Sequence, residues 1–138
     1  MTKDNPSLEG PVCPLPRPHK DKIVLGHGSG GKMMADLIKD SFFPSFANPV
    51  LLAGNDAGVV DLGDGVSLAI STDAHVVSPL FFPGGDIGKL AVCGTVNDVA
   101  MVGAKPLYLS ASFILEEGLD ISILDSVVSS MKSAADEA

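Results

Sequence analysis

The stretch Ser71–Pro106, STDAHVVSPLFFPGGDIGKLAVCGTVNDVAMVGAKP, carries most of what the chain discloses about its fold. It opens on the end of an apolar strand pattern, VSLAISTD, and passes into AHVVSPLFFPGG, which has no period. Pro79, Pro83, Gly84 and Gly85 mark that part as a loop with apolar anchors. Asp86 then stands as an N-cap for a helix over DIGKLAVCGTVNDVAMVGA, with Gly103 as its stop. Within that helix Asp98 sits among Val96, Val99, Ala100 and Met101, so its charge needs a partner or an exposed stripe.

Working backwards, DAGVVDL and VSLAISTD flank Gly63-Asp64-Gly65, the signature of a hairpin. With Asp64-Gly65 as a two-residue turn, Gly63 faces Val66 and Asp56 faces Asp73. Paired side chains lie about 5 Å apart at Cβ, and like charges that close are destabilising unless they share a cation or a proton. Oxygen-only donors of this kind suit magnesium, which shares its shell with water and phosphate. Further back, KIVL (Lys22 to Leu25) reads as a strand and VLLAG (Val50 to Gly54) as another, with a helix from Lys32 that Pro44 ends. Working forwards, PLYLSASFILEE reads as a long strand. Ile121 to Ala138 is an amphipathic helix with Ile121, Leu124, Val127, Val128 and Met131 on one stripe. The expected class is α/β, with a mixed, largely antiparallel sheet packed by helices.

Between KIVL and the first helix lies GHGSGGK, Gly26 to Lys32. Its glycines (Gly28, Gly30 and Gly31 among them) allow backbone amides to turn toward an anion, and Lys32 offers a point charge to a phosphate. The spacing matches a P-loop, but Met33 stands where a P-loop needs Ser or Thr for magnesium, which disables that reading. Ser29 has no evident base, so triad chemistry is disfavoured. His75 reads as a metal ligand or, better, a polar residue at the hairpin edge. Three scattered histidines and two unpaired cysteines lack zinc-ligand spacing. Cys93 reads as a small buried hydrophobe and Cys13 as an exposed thiol.

Composition narrows the class further. A formal net charge of -8 with pI near 4.5 disfavours nucleic acid and anionic membranes as partners. The hydrophobic share of 46% supports a core, and no apolar run is long enough to span a bilayer. With two isolated cysteines and no secretory signal, the expected compartment is the cytoplasm. Residues 1–20 hold five prolines and read as a flexible arm, leaving 21–138 as the folded domain. The chain stops inside a helical pattern, as a piece of a longer protein would.

Three motifs, HGSGGKMM (His27 to Met34), NDAGVV (Asn55 to Val60) and the long Ser71–Pro106 stretch, together resemble the HypE family of hydrogenase maturation factors. ILEEG (Ile114 to Gly118) extends the likeness, which covers about residues 22 to 138. That family belongs with aminoimidazole ribonucleotide synthetase and selenophosphate synthetase. The resemblance implies an ATP-binding N-terminal domain whose sheet pairs with a second copy into a barrel-like homodimer. It implies magnesium on residues matching Asp56, Asp73 and Asp98, with Asn97 positioning them, and Lys32 and the glycine loop over the phosphates. The implied reaction is ATP-dependent dehydration of a carboxamide on the enzyme's own C-terminal cysteine to a thiocyanate, which supplies cyanide for nickel–iron hydrogenase. The implied partners are a carbamoyl transferase and an iron-carrying cyanide acceptor. A second domain and the cysteine-bearing tail are missing, so this chain alone is expected not to complete the dehydration. Two rivals stand beside this reading. A selenophosphate synthetase would carry a reactive Cys or selenocysteine in the glycine loop, where this chain has His27 and Ser29. A dimerisation or docking module would bind no nucleotide.

Overall fold

The computed structural model describes residues 21–138. The proline-rich arm and Cys13 lie outside them. The described chain falls into two compact units, one ending at Ala47 and one running from Asn48 to Ala138.

In the first unit, KIVL does not form a strand. A short 3-10 turn, Leu25–Gly28, follows instead, and α1 (Lys32–Leu37) starts after Gly30 (φ +73°) and Gly31. Pro44 does not end this helix either. The chain widens into a π turn at Ile38–Phe42, in which the Phe43 N–H reaches back to the Ile38 carbonyl, and continues as α2 (Phe43–Phe46). A proline ring clashes with the carbonyl four residues before it, and the wider turn relieves that clash at Pro44.

The second unit begins with a further correction. VLLAG is helical at its start: α3 spans Pro49–Leu52. Asn48 caps it, its side chain accepting from the N–H groups of Val50 (3.0 Å) and Leu51 (3.1 Å), with Pro49 at the first helical position. This N-cap and proline pair outweighs the β-branched, apolar look of the run.

The hairpin is present as β1 (Gly58–Gly63) and β2 (Val66–Ile70), antiparallel. Gly63 faces Val66, but the pairing shifts between Asp61 and Gly63, so that Asp61 faces Ser67 and Gly58 faces Ile70. Gly63, Asp64 and Gly65 all take positive φ (86°, 52° and 77°), and the Asp61 carboxylate accepts the Gly63 N–H at 2.8 Å. The resulting bulge inserts one residue, which moves everything beyond it by one place. Continued toward the open end, this register sets Asp56 opposite Thr72, so the direct Asp56–Asp73 pair is overturned.

A second, very short hairpin, β3 (Phe81–Phe82) with β4 (Gly85–Asp86), interrupts the region read as loop and leads directly into α4, Ile87–Met101. Asp86 caps α4 as expected, accepting from Gly88 N–H at 2.6 Å and Lys89 N–H at 3.1 Å. Gly103 (φ +73°) stops it: its N–H bonds Ala100 at 2.9 Å and that of Ala104 bonds Val99 at 3.2 Å. The segment PLYLSASFILEE is not in a strand, and no strand among the described residues pairs with it. α5 spans Ile121–Glu137 and packs on α4. Its buried positions are Val127 and Ala134, with Leu124 and Met131 half-buried, whereas Ile121 and Val128 are exposed. A Cβ at Gly88 would collide with the Val127 carbonyl and stand 2.8 Å from Met131 Cγ, so the bare backbone there sets how closely the two helices approach.

Burial alone would raise the Asp86 carboxyl, but hydrogen bonds from Ser130, Lys89 and Gly88 and the Lys89 charge outweigh it and hold Asp86 below its ordinary value. A depressed folded-state value contributes stability that is present above about pH 4 and lost as pH falls through that lowered value. Asp86→Asn keeps an acceptor for the cap and removes the charge. Its unfolding free energy should therefore depend less on pH below about pH 4 than that of the wild type. Denaturant titrations between neutral and strongly acid pH check this, and parallel pH profiles would refute it.

Candidate functional site

Two sets of residues bear on function, one in each unit. In the first, the glycine loop is shaped by its own polar groups. The Val24 N–H lies 2.9 Å and the Val24 carbonyl 3.3 Å from His27 Nδ1, so the buried ring is tied to the backbone three residues before it. The Ser29 hydroxyl donates to the Gly26 carbonyl at 2.8 Å. Both side chains thus serve the turn, and neither forms a nucleophile–base pair with the other. Met33 packs its sulfur against Gly26, where a Cβ would stand 2.8 Å away. The P-loop hydroxyl position is therefore filled by an apolar side chain packed on Gly26. Gly28, Gly30 and Gly31 are exposed. The Lys32 ammonium is largely solvated and meets both Asp36 oxygens at 2.8 Å, one helical turn on.

In the second unit, the chain leaving β2 runs alongside α4 in the opposite direction. The Ser71 hydroxyl donates to Asp98 Oδ2 at 2.8 Å. Two residues on, Asp73 Oδ2 would lie 3.8 Å from a Cβ at Gly94, one turn before Asp98. Two residues further, His75 Nε2 would lie 2.8 Å from the same Cβ, and it stands 3.9 Å from Asp73 Oδ2. Ser71, Asp73 and His75 alternate along the chain and share one side of it, while Gly94 and Asp98 share one face of the helix. Asp98 is half-buried and bonded, so it is not an idle surface charge. Asn97, next to it, is exposed. Asp56 is exposed, ahead of the buried Ala57 and β1.

Asp73 and Asp98 thus approach the same part of α4, and Asp56 is not paired with either. Among the described residues no group of three or more His, Cys, Asp or Glu side chains is close enough to hold a metal ion. Magnesium does not require such a cage. It binds through one or two carboxylates with water and phosphate oxygens completing the shell, and the oxygen donors of Asp73 and Asp98 fit that chemistry. An open groove of about 740 Å³ lies at the other end of α4, between Gly84–Asp86 and α5, with Lys89, Asp125 and Ser130 on its walls. Asp86 is already bonded there, and among the described residues no polar side chain is buried without a partner, so the groove lacks convergent chemistry.

Two contributors, Ser71 and Asp36, escaped the sequence reading, and His75 was read there as a metal ligand or, better, a hairpin-edge residue. Ser71 was discoverable from its alternation with Asp73 in an extended segment. Asp36 was discoverable as the residue four after Lys32 on a helix. Cys93, read as buried, is exposed. α4 is apolar on most sides, so its sequence does not reveal which face is covered.

The described residues include no helix long and apolar enough to cross a membrane. Residues 54–138 match the family model for the AIR synthase related protein, N-terminal domain. The chain is 56% identical over 117 residues to carbamoyl dehydratase HypE of Cupriavidus necator, covering 85% of this chain and 33% of that protein. Against carbamoyl dehydratase HypE of Escherichia coli K12 it is 54% identical over 119 residues, covering 83% and 35%. A crystal structure of hydrogenase maturation protein HypE in complex with ATP superposes with a TM-score of 0.51 at 57% identity, covering 84% of this chain and 34% of that one. The chain spans about a third of the length of these relatives.

The solvated Lys32–Asp36 pair contributes at most about 0.5 kcal/mol. Asp36→Asn should leave stability within that margin and, if Lys32 serves phosphates as the sequence leads one to expect, raise affinity for ATP by releasing it. Chemical denaturation and nucleotide titration check the two halves. Weaker ATP binding in this variant would remove Lys32 from the site.

Proposed function

The chain belongs to the AIR synthase related family through that family's N-terminal domain, and on that premise we propose that it is the nucleotide-binding part of an ATP-dependent carbamoyl dehydratase of the HypE type. The observation that carries this reading is the alignment of Ser71, Asp73 and His75 along α4 beside Gly94 and Asp98. It lies within the matched region, and a relative 57% identical to this chain has been solved in complex with ATP.

In this reading Asp73 and Asp98 would hold the magnesium that accompanies ATP, while Asp56, expected as a third oxygen donor, stands apart from them in this structure. Asn97 helps to place them. When bound, magnesium supplies charge neutralisation for the phosphates. Gly28, Gly30 and Gly31 offer backbone N–H groups, and Lys32 a positive charge, of the kind that phosphates take. An amide oxygen is a poor leaving group. Transfer of the γ-phosphoryl group to the oxygen of an S-carboxamide releases ADP, and loss of one N–H proton gives an iminophosphate. Breaking the C–O bond then expels phosphate, the nitrogen loses its remaining proton, and a thiocyanate remains. The S-carboxamide is carried on a cysteine of the enzyme's C-terminal tail, a segment matched by neither Cys13 nor Cys93. This domain's share of the catalysis is positioning and charge stabilisation.

The proposal extends to a cytoplasmic homodimer in which the sheet is completed across two copies into a barrel, and to maturation partners that deliver the carbamoyl group and accept the cyanide. The exposure of Leu62, Val66, Leu107, Tyr108 and Ile114, large apolar side chains on β1, on β2 and in the unpaired segment after α4, supports such an assembly. The same surface favours a second reading, a dimerisation or docking module that binds no nucleotide.

Calorimetric titration of ATP separates the two. Binding should require magnesium, should be abolished by EDTA, and should weaken about tenfold or more in Asp73→Asn, at least the loss usual for groups that support metal ligands. ATP binding indifferent to both EDTA and Asp73→Asn would overturn the metal assignment, and no binding at all would favour the docking module.

A further inference from the structure

His75 belongs to no part of the chemistry above, yet its side chain is only 18% exposed and it lies against the one helix position in its path that has no side chain. A Cβ on Gly94 would stand 2.8 Å from His75 Nε2, a contact that real Cβ atoms essentially never show, with Cε1 at 3.4 Å. The nearer atom belongs to a ring, and a ring can yield only by swinging away as a unit. The Asp73 carboxylate reaches the same spot, 3.8 Å from that Cβ, and lies 3.9 Å from Nε2, beyond hydrogen-bond distance. The imidazole therefore does not hold Asp73 by a direct bond. Asp73 and His75 both reach toward Gly94, and the ring fills the space beside the carboxylate on that face. Further along, Ser71 pins the same segment to Asp98 at 2.8 Å.

We propose that His75 is a positioning residue. Seated on the bare backbone of Gly94, its ring fixes the spacing between the segment that carries Asp73 and α4, which carries Asp98, so that both carboxylates can reach one magnesium–nucleotide complex. This inference rests on the nucleotide site proposed above and assigns the support of that site. Ser71 anchors one end of the segment through a hydrogen bond, and His75 props the other by contact. Gly94 is the complementary half of the device, because any side chain there displaces the ring and, with it, Asp73.

The test compares Gly94→Ala, His75→Ala and the double variant with the wild type, in magnesium-dependent ATP binding and in thermal unfolding. Alanine is the better helix former, so Gly94→Ala should not lower the unfolding temperature through helix propensity. It should nevertheless weaken binding of ATP with magnesium about tenfold, the size of effect usual for groups that orient metal ligands. In EDTA neither the wild type nor this variant should bind ATP. His75→Ala should also weaken magnesium-dependent binding. The double variant should bind more tightly than Gly94→Ala alone, since removing the ring makes room for the new methyl group, and a merely destabilising pair would not show that rescue. A wild type whose ATP binding ignores magnesium overturns the metal assignment, and one that binds no ATP overturns the nucleotide site; either takes this role with it. A magnesium-dependent wild type whose Gly94→Ala variant stays within twofold, or whose double variant shows no rescue, overturns the role of His75 alone.

Discussion

The second unit is organised by what α4 lacks on two of its faces. At Gly88 the missing side chain lets the Val127 backbone and Met131 of α5 approach, and at Gly94 it admits His75 and Asp73. Six residues separate these glycines, roughly 240° around the helix, so the two neighbours arrive from different sides. Glycine in a helix interior costs about 1 kcal/mol relative to alanine. Asp86 helps to offset that cost by capping the first turn with a bonded, buried carboxylate, and Gly103 closes the last turn. α4 is thereby fixed at both ends and can serve as the rail on which the carboxylates are placed.

Legibility followed how local the determining forces are. The Asp86 cap, the Gly103 stop, the span of α5 and the β1–β2 hairpin were readable because each depends on residues within a few positions of one another. The hairpin register was not. It turned on the conformation of Gly63-Asp64-Gly65 and a carboxylate accepting from Gly63, and one inserted residue there moved Asp56 from opposite Asp73 to opposite Thr72. VLLAG misled because its apolar, partly β-branched composition is blind to the Asn48-Pro49 start that makes it a helix. PLYLSASFILEE has the composition of a strand, but a strand needs a partner, and none of the described strands supplies one. At the candidate site, Asp73 and Asp98 were legible as residues and the face of α4 they share was not. That face is defined by Gly94, a residue whose contribution is an absence.

The same distribution of surface bears on how a nucleotide site could work here. The described residues bury few apolar side chains fully, Val92 most completely, while many large ones remain exposed. Such surface is stabilised by covering it, and a covered surface also excludes water from charged groups beside it, where electrostatic interactions then strengthen. Asp73 and Asp98 sit at the margin of that condition, one exposed and one half-buried. An acidic chain can receive a polyanion at such a place only if a cation intervenes, so the magnesium dependence of binding is the physical heart of the account.

Manganese tests it most directly. Added with ATP in place of magnesium, the paramagnetic ion broadens the amide signals of residues near it, and isotope-labelled protein reports which they are. The account requires the strongest broadening at Asp73, Gly94 and Asp98, with ATP needed for its full extent. Broadening centred on the acidic positions of the α5 groove, or spread evenly over the exposed carboxylates, would contradict it.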